Sequence, residues 1–197
     1  MFEKQTEKAR WRSFGIIGAG RAVGVTHLAI WLANYQSGVC RKRTALLEWN
    51  RHGDFARLAE FCVKKGAVAK RFSLLEVDYY GVADAAVLAD CLTGDYRSII
   101  IDYGEATEGN IAECARCDRG LIVGSLSEWQ AERFWELLGC GVRRNKSWSY
   151  AVAFGSEEAR KALEKEARIH VLRIPSSADA FAVSRADMYF FEKLCGE

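Results

Sequence analysis

The sequence predicts an α/β fold, doubly wound, with a mostly parallel sheet flanked by helices. Three observations carry this expectation. About six short runs are apolar throughout instead of alternating, the pattern of strands covered on both faces. Between them lie amphipathic stretches of about 10 to 15 residues, the length of crossover helices in right-handed βαβ units. The single proline and 17 scattered glycines leave no long linker, and no period of about 20 to 50 residues repeats.

The first strand is 14–18, Phe-Gly-Ile-Ile-Gly, and a helical pattern follows over 25–35. The stretch between them reads as a glycine-rich loop. A second β-rich run, 44–48, comes after the basic cluster Arg41-Lys42-Arg43, and a helix is expected over 55–65 with Leu58, Phe61 and Cys62 on one face. The helix over 82–92 stops before Thr93-Gly94-Asp95, and 98–102, an apolar run closed by an acid, is the central parallel strand. Helices then follow near 109–117, 127–138 and 156–167, with strands at 120–123, 148–154 and 169–173. Residues 178–195 read as one or two helices. Trp31, Trp129 and Trp135 fall on predicted helices at positions suited to packing.

Half of the 197 residues are hydrophobic and 27% are charged, so the chain can bury roughly 70% of its unfolded surface in one core. A single domain over 13–197, preceded by a polar segment over 1–12, is the expectation. The 28 basic residues against 26 acidic ones give a net charge of +2, too balanced to imply a polyanionic partner. The basic groups Arg41 to Arg43, Lys64-Lys65, Lys70-Arg71 and Arg143-Arg144 lack interleaved aromatics and read as solvated surface, not as a nucleic-acid face. The first dozen residues are not a signal peptide, and no apolar stretch reaches the ~18 residues that span a bilayer. A cytoplasmic protein with no transmembrane segment is expected. Seven irregularly spaced cysteines argue for reduced thiols, most of them buried. The pair Cys114-Ala-Arg-Cys117 lacks the four ligands of a structural zinc and reads as core.

In open parallel sheets ligands bind beyond the carboxyl ends of the strands, so the informative residues follow Ile17, Leu47 and Ile101. After the first comes Gly18-Ala19-Gly20-Arg21-Ala22-Val23-Gly24-Val25-Thr26-His27. Glycine lets backbone N–H groups turn inward, and the following helix presents its positive end to an anion, as a phosphate-binding loop requires. After the second comes Glu48-Trp49-Asn50-Arg51-His52-Gly53-Asp54, and after the third Asp102-Tyr103-Gly104.

Together these motifs resemble the ParA/MinD branch of P-loop ATPases, and especially its CpaE/TadZ-like members associated with pilus assembly. That branch carries K-G-G-x-G-K-[ST]-[ST]. Aligned on Gly24, this chain places Val25 at the lysine that neutralises β and γ phosphates, and Gly20 at the branch's signature lysine. The second motif is similar to D-x-D-x-x-x-G-D, with Glu48 at the first acid and Asn50 where an aspartate orients the attacking water. An amide cannot accept that proton, so the base role is lost at Asn50; with the retained Asp54 it makes up the pair of candidate catalytic positions. Asp102 resembles the Walker B acid, and with the Thr26 hydroxyl it would hold magnesium through water, an ion that prefers oxygen ligands. The segment Arg173-Ile174-Pro175 through Phe181 resembles the I-P-x-x-x-D-P-F stretch that lines the base side of the nucleotide, which assigns Pro175 there; Ala180 replaces the second proline.

The resemblance implies a P-loop NTPase fold, ATP or ADP with Mg as cofactors, a homodimer, and a protein partner in pilus or secretion machinery that recruits the chain peripherally to a membrane. A unit charge beside a triphosphate is worth about 4 kcal/mol at an effective dielectric near 20, so replacing the loop lysine by Val25 predicts weak nucleotide binding or none. Three functional expectations follow: a degenerate member acting as a localisation or assembly partner, an atypical ATPase in which Arg21 supplies the missing charge, or an adaptor that uses no nucleotide. His27 either bonds a phosphate or base, or caps and packs. Trp49 contacts a ligand or packs. Over 187–197, Met188, Phe191 and Cys195 share a face that is expected to dock on the domain.

Overall fold

A computed structural model describes residues 12–62, 70–140, 142 and 145–196. In chain order the elements are β1 (Ser13–Gly18), α1 (Val25–Asn34), β2 (Thr44–Glu48), α2 (Asp54–Cys62), β3 (Arg71–Leu74), β4 (Val77–Tyr80), α3 (Ala85–Thr93), β5 (Ser98–Glu105), α4 (Glu108–Cys114), β6 (Arg119–Gly124), α5 (Ala131–Gly139), β7 (Trp148–Val152), α6 (Glu157–Ala167), β8 (Val171–Arg173) and α7 (Arg185–Cys195). A π-helical turn, Tyr35–Val39, prolongs α1. The strands form one sheet of order β3-β4-β2-β5-β1-β6-β7-β8, parallel throughout except for the antiparallel pair β3 and β4. β1 lies between β5 and β6. The chain leaves it on one side toward β2 and returns on the other to β6, which puts a switch point at the carboxyl end of β1.

Side chains alternate across each strand, so the central strands feed two cores. Phe14, Ile16 and Ile100 pack with Leu28 and Trp31 of α1, Phe55 of α2 and Phe191 of α7. Ile17, Ile99 and Ile101 pack on the opposite face with Cys91 of α3, Cys114 of α4, Phe134 of α5 and Leu163 of α6. Burial on both faces is the reason these runs show no polar alternation. Within α1 only Thr26 and His27, in the first turn, are not buried.

The C-terminal helix docks as expected. Phe191 stacks on Tyr35 at 4.7 Å between centroids and meets Trp31 edge-on at 5.0 Å. Phe190 and Leu194 join Phe191 and Cys195 on the buried face. No helix among the described residues is long and apolar enough to cross a membrane. Four of the cysteines, Cys91, Cys114, Cys117 and Cys195, are buried, while Cys62 and Cys140 are exposed. Burial pushes the Cys117 thiol up to about 11 and that of Cys114 higher still, as it does for thiols packed in apolar surroundings.

Four expectations are corrected. The hairpin β3–β4 is not among the expected strands. Its turn residues Leu75 and Glu76 both have positive φ, 49° and 63°, without the Gly, Asn or Asp that ordinarily marks such a turn. Trp129 is 82% exposed, because α5 begins at Ala131 and the preceding residues form a turn in which Gln130 N–H bonds the Ser127 carbonyl. Phe61 is 89% exposed and Cys62 is exposed; α2 buries Phe55 and Ala59 instead, and Phe61 stands about 120° around the helix from Phe55. The final helical region contracts to α7. The expectations for residues 1–11, Lys64-Lys65 and Arg143-Arg144 lie outside the described residues.

Candidate phosphate-binding site

The loop leaves β1 anchored on both sides. The Gly18 carbonyl accepts from Ala106 N–H, and Ala19 N–H donates to the Val123 carbonyl, both at 2.8 Å. A Cβ on Gly18 would lie 2.7 Å from Val25 Cγ2 and 2.8 Å from Val23 Cγ2, so a side chain here would force the loop's valines to move. Ala22 and Gly24 are left-handed, with φ of 57° and 93°. For alanine this costs about 1–2 kcal/mol, strain of a kind that collects at ligand-binding turns. Gly24 caps α1, and its carbonyl takes the first helical hydrogen bond from Leu28 N–H at 2.9 Å. Val25 is 7% exposed and packs into the core.

Over this loop lies a cavity of about 470 Å³, within the size range of small-molecule sites. It is lined by the whole expected segment Gly20, Arg21, Ala22, Val23, Gly24, Val25, Thr26 and His27, together with His52, Asp54 and Arg57 from beyond β2, and Gly104 and Glu105 from the end of β5. Asn50 and Pro175 do not line it.

Thr26 lines the cavity and meets Asp102, which is buried and is not itself part of the lining. The Thr26 hydroxyl donates to Asp102 Oδ2 at 2.7 Å, and Gly104 N–H donates to Oδ1 at 2.9 Å. Asp102 is fully buried. That burial holds its carboxyl above the ordinary carboxylate range, and the two hydrogen bonds offset only part of the rise. Its register neighbour on β2 is Glu48, buried as well. Glu48 Oε1 accepts from Asp54 N–H at 2.7 Å, which holds the first turn of α2 to the strand end. Its Oε2 has no hydrogen-bond partner among the described residues. Burial raises the Glu48 carboxyl, N–H bonds from Asp54 and Phe55 lower it, and the Asp102 and Asp54 charges raise it further.

Asn50 spends its amide on the turn. Its Nδ2 donates to the Asp102 carbonyl at 3.2 Å and its Oδ1 accepts from His52 N–H at 3.0 Å. Trp49 packs against Tyr103 at 5.7 Å and borders a different depression, beside Leu88 of α3. His27 meets Trp31 edge-on at 6.2 Å, and its buried Nε2 has no hydrogen-bond partner among the described residues. Burial pulls the imidazole below its ordinary 6.5, against an upward pull from Asp179.

Each arginine in the lining faces a carboxylate. Arg21 Nε lies 3.2 Å from Glu105 Oε2, and Arg57 Nη1 lies 2.7 Å from Asp54 Oδ1. Sequence reasoning missed both Arg57 and Glu105. Arg57 was findable, since it stands one turn after Asp54 on a helix that begins at the ligand edge. Elsewhere the expected solvated basic surface is partly paired: Arg43 with Asp95, and Arg71 with Asp78.

The donor set of Thr26 and Asp102 is all oxygen, which suits magnesium. Among the described residues no group of three or more His, Cys, Asp or Glu gathers to hold a metal by itself. Magnesium sites of this type draw their remaining ligands from waters and substrate phosphates, so the pair fits that ion.

No family model matches the sequence, and no curated protein matches it. Solved structures do. A plasmid partition protein of Borrelia burgdorferi bound to AMPPNP superposes with a TM-score of 0.67 at 14% identity, over 94% of this chain and 97% of that one. MinD of Aquifex aeolicus, in a MinC:MinD cell division complex, gives 0.64 at 13% identity over 91% and 84% of the two chains. MinD of Pyrococcus horikoshii with Mg-ADP gives 0.61 at 12% over 84% and 82%. The chain thus has the fold of ParA/MinD-type P-loop ATPases, and likeness at such identities speaks for the fold alone.

Proposed function

We propose that this protein is a ParA/MinD-like member of the P-loop NTPase fold whose nucleotide chemistry is degenerate. It binds nucleotide weakly and acts chiefly as a localisation or assembly partner, in a pilus or secretion system by its resemblance to CpaE/TadZ-like proteins. One observation carries the reading. The frame of the loop is kept, with its left-handed turn, the Thr26–Asp102 bond and the cavity, while among the described residues the lining holds no lysine and its arginines are matched by carboxylates. A cavity shaped for phosphate but nearly neutral on its rim attracts a polyanion poorly.

Thr26 and Asp102 are the residues that would hold magnesium, and the ion would supply charge neutralisation at the phosphates. The N–H groups of the loop and the first turn of α1 cradle the phosphates. Asn50 and Asp54 do not serve as a base, because the first is an amide and the second is engaged by Arg57. The neighbouring folds crystallised with AMPPNP and Mg-ADP support the ligand class, and the MinC:MinD complex supports a protein partner and assembly as its mode of action.

Calorimetry with Mg·ATP and a phosphate-release assay test this. The expected result is weak binding without turnover. Hydrolysis near ~1 per second, the lower end of common enzyme rates, would sink it. A second reading, an atypical ATPase, is favoured by the 82% exposure of the Arg21 side chain at the cavity; it requires Arg21→Ala to abolish nucleotide affinity while the fold survives.

A further inference from the structure

Glu105 closes β5 and stands on the rim of the cavity. Its carboxylate lies between two guanidinium groups from different elements. Arg21 Nε of the loop approaches Oε2 at 3.2 Å, and Arg133 Nη1 of α5 approaches Oε1 at 3.3 Å. Arg133 crosses the loop at Gly20, where a Cβ would lie 3.3 Å from its Cδ and 3.5 Å from its Nη1. Gln130, which caps α5, donates from Nε2 to the Arg21 carbonyl at 3.2 Å. The start of α5 and the loop are therefore joined at two points. The arginine side chains are 82% and 59% exposed, so both ends can follow an anion.

To a guanidinium, carboxylate and phosphate present the same chemistry: paired anionic oxygens that accept two parallel hydrogen bonds. We propose that Arg21 and Arg133 form a two-arginine clamp for the phosphate groups of a nucleotide, and that Glu105 is the internal anion such a ligand displaces. This rests on reading the loop as a phosphate cradle. It returns to the site the charge missing at Val25 and Gly20, from α5 and from a different loop position. It also accounts for weak affinity, since a phosphate must both release Glu105 and tolerate its charge nearby.

Calorimetric titration of the full chain tests the clamp, with Mg·ATP, inorganic tripolyphosphate and adenosine as probes. Glu105→Gln is expected to tighten both phosphate-bearing probes by about three- to tenfold, the effect of one unit charge at a largely solvated rim. Arg133→Ala in the Glu105→Gln background is expected to cancel that gain, and adenosine to respond to neither change. Circular dichroism and urea midpoints establish that the variants are folded. The clamp is overturned if Glu105→Gln leaves both phosphate probes unchanged, undetectable binding before and after included. It is equally overturned if ATP alone tightens, or if Arg133→Ala leaves the gain in place. Fast turnover by the parent would remove the degenerate reading without touching the clamp, whereas an unresponsive Glu105→Gln would remove the clamp without touching that reading.

Discussion

The Thr26 hydroxyl donates a 2.7 Å hydrogen bond to Oδ2 of the fully buried Asp102, joining the first turn of α1 to the end of the central strand. A carboxylate with no access to water depends on such donors.

Thr26→Val keeps the shape and removes the donor. It should destabilise the fold by about 1–3 kcal/mol, the cost of leaving a buried acceptor unpaired, and should push the Asp102 carboxyl further up. Thr26→Ser should stay close to the parent. Urea denaturation of the three proteins checks this, and equal midpoints for valine and serine would contradict the role given to the bond.

Two glycines should respond differently to alanine. At Gly124 a Cβ would meet the buried Phe134 ring at 2.4 Å, so Gly124→Ala is expected to cost about 1–3 kcal/mol by overpacking, or more. At Gly24 nothing lies within 4 Å, and only the φ of +93° opposes a side chain. Gly24→Ala should therefore cost about 1 kcal/mol in backbone strain, with its larger effect on phosphate binding. Thermal melts rank the two.

His27 should make stability depend on pH. Burial holds its folded value below the ordinary 6.5, so the unfolded chain binds this proton more tightly. Its contribution is therefore intact above pH 6.5 and is lost as pH falls from there through the lowered folded value. Urea midpoints compared between about pH 7.5 and 5.5 should fall less for His27→Gln than for the parent. Identical losses in the two proteins would assign the acid sensitivity to other groups.

Trp129 is expected to matter little to folding. At 82% exposure, Trp129→Ala should change stability by less than about 0.5 kcal/mol. Since Gln130 beside it contacts the Arg21 carbonyl, Trp129 fluorescence should report phosphate binding at the loop, and the alanine variant should lose that signal.

Much of the fold was legible because both-face burial leaves a mark that residue order alone preserves. Between Ser98 and Asp102 the run is apolar at 99, 100 and 101, and it became part of β5, with Ile100 on one face and Ile99 and Ile101 on the other. The loop was legible for a similar reason: glycine at 18 and 24 reports a close approach and a left-handed turn whatever lies opposite. Illegible features were those in which packing overruled a local cue. The β3–β4 turn uses Leu75 and Glu76, residues with no turn preference, although buried Phe72, Val77 and Tyr79 against exposed Arg71 and Ser73 left an alternation that could have been read. Trp129 was misjudged because an aromatic residue next to a helix start carries no mark of whether the helix has yet begun.

By itself, then, the sequence determined the alternation of strands and helices, the place of the phosphate-type turn after the first strand, and the absence of lysine from it, since each follows from side-chain period or backbone preference over a few residues. Only the tertiary structure decided which charges meet. Thr26 reaches Asp102 across 76 positions and Arg21 reaches Glu105 across 84, because the order of strands in the sheet sets β5 beside β1. Coulomb interaction depends on distance in space, and no local pattern encodes a distance that eight strands must first assemble.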